Sequence, residues 1–195
     1  MTVITDAKNG RYGESGTIMA DVRFDDLTAA DGTPLYLPYI ATKNDSEPYG
    51  VKLYNDLVSG KYGQIAPFTA TSEMIQAVKD AKHAEINGWR DVQESGNYPF
   101  MLNGHRWDCG KASQSRLAPV VAVARTGVLP PDFFWTDADN IDVPVTADEL
   151  TALEAAMQQN MVIQGFKIHE RQRQMKEEVD LLTDYKAIQN FMVGW

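Results

Sequence analysis

The C-terminal part of the chain carries the pattern that most limits the fold, a helical repeat that begins at a defined residue. Thr146-Ala147-Asp148-Glu149 is a capping box, in which the threonine hydroxyl and the glutamate carboxylate satisfy backbone N–H groups that a helix start leaves unpaired. Apolar side chains then recur at helical spacing, and they are Leu150, Leu153, Met157, Met161, Ile168, Met175, Val179 and Leu182. An unbroken helix over this range would have about 36 residues and a length of about 54 Å. Because a domain of this size cannot cover such a length, part of the helix must face solvent or a partner.

The apolar stripe is incomplete as a coiled coil. From Met161 to Leu182 part of it follows a heptad spacing, which allows self-association through the helix. Gln164, Arg171 and Gln172 nevertheless fall where a coiled coil needs apolar groups. The charged stretch 169–178 is therefore either a solvated face with ion pairs four residues apart or a surface that packs on a partner.

The composition excludes several classes of function. The 195 residues include 18 Lys and Arg against 27 Asp and Glu, which gives a net charge of -9, and no basic cluster interrupts the acidity. Nucleic acid is not an expected partner, because binding to phosphates draws on clustered positive charge. The single cysteine permits no intrachain disulfide, and no stretch reaches the roughly 18 to 20 apolar residues of a membrane helix. The N-terminus lacks the basic and apolar regions of a signal peptide, so we expect a soluble protein that folds in a reducing cytosol.

The aromatic residues divide the chain into two parts. Six of the eight tyrosines precede residue 63, whereas all four tryptophans follow residue 88, and two separate cores would explain that distribution. The connector 64–69 contains Pro67, which disfavours helix in the residue before it. We therefore predict a small N-terminal unit over residues 1–67 and a C-terminal domain over residues 68–195.

The N-terminal unit is predicted to be β-β-α. Apolar and polar residues alternate from Ile18 to Phe24, and a second β-rich stretch runs from Leu35 to Thr42. Asp45 or Ser46 then caps a helix, and Gly60 supplies the left-handed residue at its end. Such a unit buries little apolar area, so we expect it to need a neighbour, which is either the second domain or another subunit.

The C-terminal domain is predicted to be mainly helical, with two short β-hairpins before the long helix. A first helix starts at Thr71 or Ser72, and its expected inward residues are Ile75, Val78, Ala81, Ile86, Trp89 and Val92. Asn103-Gly104 predicts a type I′ turn in the first hairpin, and a second hairpin is expected over residues 133–143. Between the hairpins a helix over 112–125 must tolerate Pro119, either in its first turn or as a kink. The fold class is therefore α+β.

No set of residues predicts catalysis. Cys109 lies four residues after His105, but a strand points neighbouring side chains to opposite faces, so a buried, inert thiol is favoured over a nucleophile. The histidines are scattered, and one cysteine cannot complete a zinc cluster. No phosphate-binding glycine loop or nucleophile elbow is present. We expect a protein that is not an enzyme, with no catalytic residue, no metal and no cofactor.

The acidic cluster over residues 137–142 is the best metal candidate. Read from Asp137 as a calcium loop, it has Ile141, Asp142 and Asp148 where Asp or Asn, Gly and Glu are required. Asp and Asn are also the commonest residues in turns. A tight turn between strands is therefore favoured, with calcium binding as the open alternative.

Several motifs carry a resemblance to a known family. They are Glu85-Ile86-Asn87 with Arg90, Asn103-Gly104-His105-Arg106-Trp107-Asp108, Ser113 with Ser115-Arg116-Leu117, Phe134-Trp135-Thr136-Asp137-Ala138-Asp139-Asn140 leading to Val143-Pro144-Val145-Thr146, Gly165-Phe166-Lys167-Ile168-His169-Glu170-Arg171-Gln172, and Val193-Gly194-Trp195. From about Thr71 onward the chain resembles a phage and prophage domain family of unassigned biochemical function, found at the C-terminal end of tail proteins and tail-fibre assembly proteins. Cys109-Gly110 stands where members often have another small or acidic residue. The stretches 53–57 and 62–67 resemble N-terminal segments of phage proteins with this architecture.

The resemblance implies a non-enzymatic phage tail component, at the tail-fibre attachment region or the baseplate, that binds other tail proteins. A tail-fibre assembly chaperone absent from the mature virion is the alternative. A host-glycan-binding fibre-tip protein is a third hypothesis, and it requires exposed aromatic residues beside the 137–142 turn. The expected location is the virion tail, and the host cytoplasm during assembly.

The long helix and the tryptophan-bearing hairpins are the expected binding surface. The candidate partner-binding residues are Trp107, Trp135, Phe166, His169, Arg171 and Met175. Trp107 and Trp135 are also plausible core residues, because hairpin aromatics usually pack inward. The expected partners are other tail or tail-fibre proteins, with a homo-oligomer or a symmetric assembly and with neither nucleic acid nor a membrane involved.

Overall fold

A computed structural model describes residues 3–195 and divides the chain into two compact units, Met1–Ala70 and Thr71–Trp195. The fold is α+β, as the sequence predicts: strands come first, followed by a mainly helical region with two short hairpins and a long helix. The division falls between Ala70 and Thr71, whereas the aromatic distribution places it near Pro67. We refer to the two parts as the N-terminal unit and the C-terminal unit.

The N-terminal unit is a three-stranded antiparallel sheet followed by a helix. The strands are β1 (Ile4–Tyr12), β2 (Ile18–Phe24) and β3 (Leu37–Ala41), in the order β1-β2-β3, and the helix is α1 (Pro48–Val58). In the central strand β2 every second side chain from Ile18 to Val22 is buried, as the alternation predicts. Leu53 and Leu57 of α1 complete this core.

Strand β1 is an addition to the predicted β-β-α order. Ala7 alone among its side chains is buried, and the pairing with β2 shifts register between Lys8 and Arg11. Asn9, inside that irregular stretch, has φ of 57°. A bulge of this kind breaks the two-residue alternation by which a strand is recognised, so the residue pattern does not predict β1.

The start of α1 differs from the prediction that Asp45 or Ser46 caps it. Glu47 is the N-cap, without a side-chain cap hydrogen bond, and Pro48 is the first helical residue. Asp45 accepts a hydrogen bond from the Glu47 N–H at 3.0 Å and therefore shapes the turn before the helix. Gly60 has φ of +82°, as expected for the residue that follows the helix end.

The C-terminal unit begins with α2 (Ser72–Glu94), with Thr71 as its N-cap. Ile86 is its one buried side chain, and Ile75, Val78 and Trp89 are partly buried against the same core. The expectation that Ala81 and Val92 face inward is wrong, since both are exposed, Val92 by 68%. The neighbouring elements cover a narrower stripe of this helix than its apolar residues define.

Two hairpins and a helix follow. The first hairpin consists of β4 (Phe100–Leu102) and β5 (His105–Trp107), and the second of β6 (Phe134–Thr136) and β7 (Asp142–Pro144). Asn103 and Gly104 have φ of 51° and 79°, as the type I′ prediction requires. Helix α3 (Lys111–Ala124) lies between the hairpins in the chain and has Pro119 in its interior rather than in its first turn.

The long helix α4 (Ala147–Leu181) has 35 residues, and the short α5 (Tyr185–Gln189) follows it. The capping box at its start is confirmed: Thr146 Oγ1 accepts the Glu149 N–H at 3.3 Å, and the Glu149 carboxylate accepts the Thr146 N–H at 2.8 Å. No helix within residues 3–195 is long and apolar enough to cross a membrane.

Two separate hydrophobic clusters cover α4. Its first half contributes Leu150, Leu153 and Met157 to a cluster that also contains side chains of α3 and of the first hairpin. Its second half contributes Met175 and Val179 to a cluster with residues of α2 and α5. A helix of this length is therefore held at both ends, which leaves one face of its middle open to solvent.

Candidate functional site

The two hairpins of the C-terminal unit are tied together at the acidic turn. His105 Nδ1 lies 3.1 Å from Asp137 Oδ2, and Arg106 pairs with Asp139 at 3.0 Å. The Ala138 N–H also donates to the Arg106 carbonyl at 2.7 Å. The first hairpin therefore fixes the position of the turn that connects β6 to β7.

The buried Asp137 carboxylate stabilises the acidic turn by accepting hydrogen bonds from its backbone. Its Oδ1 accepts the N–H groups of Asp139 and Ile141, both at 2.9 Å. The hydrogen bond from Ile141, with those from His105 and Asp139, holds the pKa of Asp137 below its ordinary value. Both oxygens of the Asp137 carboxylate are thus already engaged in contacts within the protein. Among residues 3–195 no three His, Cys, Asp or Glu side chains are grouped so as to hold a metal ion.

A cleft of about 470 Å³ lies beside this junction, bounded by both hairpins, α3 and α4. We call it the aromatic cleft. Its aromatic wall consists of Trp107, Phe133, Phe134 and Trp135. Its polar lining includes Asp108, Ser113, Arg116 and Asn140.

Cys109 is buried and is unsuited to nucleophilic chemistry. Its side chain is 1% exposed, and its Sγ donates to the Met157 carbonyl at 3.5 Å. Burial raises the pKa of this thiol, which disfavours the reactive thiolate. Its N–H group donates to the Asn97 side chain at 2.7 Å. Cys109 therefore has a structural position between the first hairpin and α4.

Two of the six candidate partner-binding residues lie in hydrophobic cores. Trp107 is 5% exposed, and its indole N–H donates to the Leu102 carbonyl at 3.1 Å. Met175 is fully buried in the cluster formed with α2 and α5. The protein's own packing covers both side chains, so Trp107 takes the core position that is the alternative for a hairpin aromatic, and neither side chain presents a surface to a partner.

The other four candidates keep some exposed surface. Trp135 is half-buried in the aromatic cleft, while Phe166 and His169 are exposed on α4. Arg171 is half-buried, donates from Nε to the Gly194 carbonyl at 2.7 Å and pairs with Glu178 at 3.0 Å. Arg171 thus anchors the last residues of the chain to α4, and the four do not form one continuous site.

Three large apolar side chains are exposed together in the middle of α4. Val162, Ile163 and Phe166 are 72%, 45% and 62% exposed. Phe166 lies four positions after Val162 and three after Ile163, and side chains at these spacings are neighbours on a helix, so the three form a patch around Phe166 that we call the α4 apolar face. The sequence did not single out Val162 and Ile163. The available signal was the consecutive run Met161-Val162-Ile163, because one helix stripe cannot bury three consecutive side chains.

No curated protein and no solved structure is significantly similar to the chain. A family model, described as a domain of unknown function (DUF4376), matches residues 77–192. The match lies within the C-terminal unit and includes both hairpins, the aromatic cleft and the whole of α4. Because it covers more than half of the chain, the protein belongs to the DUF4376 family.

Proposed function

We propose that this protein is a non-enzymatic component of a phage tail, near the tail-fibre attachment region or the baseplate, that binds other tail proteins through α4. The α4 apolar face carries the proposal. Large apolar side chains that are exposed together are a feature of protein interaction sites. Val162, Ile163 and Phe166 form such a group, and the helix that carries them is packed into a hydrophobic cluster at each end.

The surroundings of the face suit a protein interface. His169 and Glu170 lie on exposed positions one turn further along the helix, and Lys167 lies beside Phe166. Interfaces combine an apolar centre with a polar rim in this way. We therefore place Phe166 at the centre of the contact, with the charged residues at its edge.

The state of the reactive side chains also supports binding rather than catalysis. Cys109 is buried with a raised pKa, and the Asp137 carboxylate is used by its own turn and by His105. A protein that acts by surface complementarity needs exposed anchors rather than activated titratable groups.

The experiment compares tail particles of the encoding phage that carry the wild-type chain with particles carrying a Val162→Ser, Ile163→Ser, Phe166→Ser triple variant. We expect mass spectrometry to detect the wild-type chain in purified particles and the variant at a much lower level. Val92→Ser is the control, because Val92 is comparably exposed, at 68%, but lies on α2.

Two results would contradict this proposal. Normal incorporation of the triple variant would exclude the α4 apolar face as the contact. If the chain were absent from particles but bound to fibre protein in infected cells, a role as a tail-fibre assembly chaperone would replace the structural one.

We also propose that the same face contributes to self-association. A mass above that of one chain is expected by light scattering of the full chain, falling towards the monomer in the triple variant. A monomeric wild-type chain, unchanged on addition of fibre protein, would count against both self-association and fibre binding.

A further inference from the structure

The aromatic cleft has the size and the fixed walls of a small-ligand site. Its volume is about 470 Å³, and pockets for small molecules range from about 300 to 1,000 Å³. The second hairpin, which carries Trp135, is held by the Asp137–His105 contact and by the bond from the Ala138 N–H to the Arg106 carbonyl. The aromatic wall is therefore positioned before any ligand arrives, which lowers the entropic cost of binding.

The polar groups of the cleft include both donors and acceptors that the protein leaves available. Arg116 donates one hydrogen bond, to Ser113 Oγ at 3.2 Å, and no carboxylate pairs with it within residues 3–195. The side-chain amide of Asn140 and the indole N–H of Trp135, which also line the cleft, have no hydrogen-bond partner among the described residues. Asp108 accepts one bond, from the Asn97 side chain, and has a second carboxylate oxygen to offer.

This combination disfavours strongly charged ligands. An anion would meet Arg116, but also the carboxylates of Asp108 and Asp137 in the same lining. A cation would meet the guanidinium of Arg116, and of the two carboxylates Asp137 is already engaged by its own turn and by His105. A neutral ligand that both donates and accepts hydrogen bonds matches the lining best.

We propose that the aromatic cleft binds a neutral sugar, a pyranose unit at the end or within a glycan chain. The C–H face of a pyranose presents apolar surface to an aromatic ring, here Trp135, while each hydroxyl donates one hydrogen bond and accepts others. Arg116 and Asn140 donate to ring hydroxyls, and Asp108 accepts from one. This inference does not depend on the α4 apolar face or on a place in a phage tail.

The test uses the full chain on an array of immobilised glycans, followed by saturation-transfer NMR with soluble disaccharides of neutral hexoses and N-acetylhexosamines. Sialic acid and glucuronic acid conjugates on the same array serve as the charged arm. We expect binding to a subset of the neutral glycans and none to the charged sugars alone.

Two variants remove contacts without disturbing the fold. Arg116→Ala replaces an exposed residue of α3 with a good helix former. Asn140→Gly suits a position where φ is 61°. Each is expected to weaken binding about tenfold, the effect of losing one or two hydrogen bonds to a ligand. Trp135→Ala should abolish it, and the Val162→Ser, Ile163→Ser, Phe166→Ser variant should bind as wild type.

Several results would overturn the proposal. They are an array on which no neutral glycan is bound, a preference for the acidic sugars, and binding that survives the Arg116→Ala, Asn140→Gly double variant unchanged. Because the α4 variant leaves the cleft intact, failure here and failure of the tail-protein proposal are distinguishable.

Discussion

Gln172 of α4 donates a hydrogen bond from its side-chain amide to Oδ1 of Asn87 in α2, over 2.9 Å. Gln172 is buried, at a position where a coiled coil would need an apolar residue. The polar side chain is therefore matched by a polar partner from a neighbouring helix of the same unit. It marks where α2 crosses α4.

We expect Gln172→Leu to lower the free energy of unfolding by about 1 to 3 kcal/mol, because Asn87 then loses its partner inside the protein. The Gln172→Leu, Asn87→Leu double variant should recover much of that loss, since neither polar group remains. Urea denaturation of the wild type, both single variants and the double variant measures the coupling. Strictly additive effects would show that the hydrogen bond contributes nothing.

The Asp137 carboxylate should make stability depend on pH. Its pKa is lowered in the folded state, chiefly by the Ile141 N–H, so its contribution is present above the unfolded pKa of about 4 and is lost as the pH falls through the lower folded value. Asp137→Asn should therefore reduce Tm at pH 7, and the difference from wild type should shrink in acid below about pH 4. Thermal unfolding followed by circular dichroism across this range measures it. Asp132→Asn, at an exposed position outside this turn, is the control. A Tm difference independent of pH would contradict the electrostatic explanation.

Core and exposed positions of α4 should respond very differently to truncation. Met157 is buried in the first cluster, so Met157→Ala should lower the free energy of unfolding by about 2 to 5 kcal/mol. Phe166→Ser, at a 62% exposed position, should change it by about 0.5 kcal/mol or less. Guanidinium titrations of the two variants make the comparison. A large loss in the Phe166 variant would mean that its side chain packs within the protein.

Gly165 offers a stabilising substitution in the middle of α4. A Cβ atom at this position would meet no other heavy atom within 4 Å. Glycine inside a helix is less favourable than alanine by about 0.5 to 1 kcal/mol, so Gly165→Ala should raise the free energy of unfolding by that amount. Gly110→Ala is the opposite case, because its Cβ would lie 2.7 Å from the Gly96 carbonyl oxygen and should destabilise. Denaturant midpoints for both variants test this pair of predictions.

The regular elements could be predicted where local chemistry determines them. The capping box at Thr146 and the Asn103-Gly104 turn depend on neighbouring residues, and the structure has both. The sequence does not predict strand β1 or helix α5, because a bulge interrupts the alternation of the first and a five-residue helix is too short to show a helical period.

The candidate site depends on contacts that local patterns do not contain. Trp107 and Trp135 occupy similar hairpin settings in the sequence and both line the cleft, yet Trp107 is buried whereas Trp135 is only half-buried. The meeting of His105 with Asp137, 32 positions apart, follows from how the two hairpins pack. Likewise, the exposure of Val162 depends on where the two clusters along α4 end.

The sharing of α4 between two hydrophobic clusters has a consequence for cooperativity. Neither cluster can open without releasing its half of the helix, and a partly unwound helix loses backbone hydrogen bonds that its remaining turns help to maintain. Opening at one end thus weakens the other, so the clusters should melt as a single transition although they do not form one continuous core.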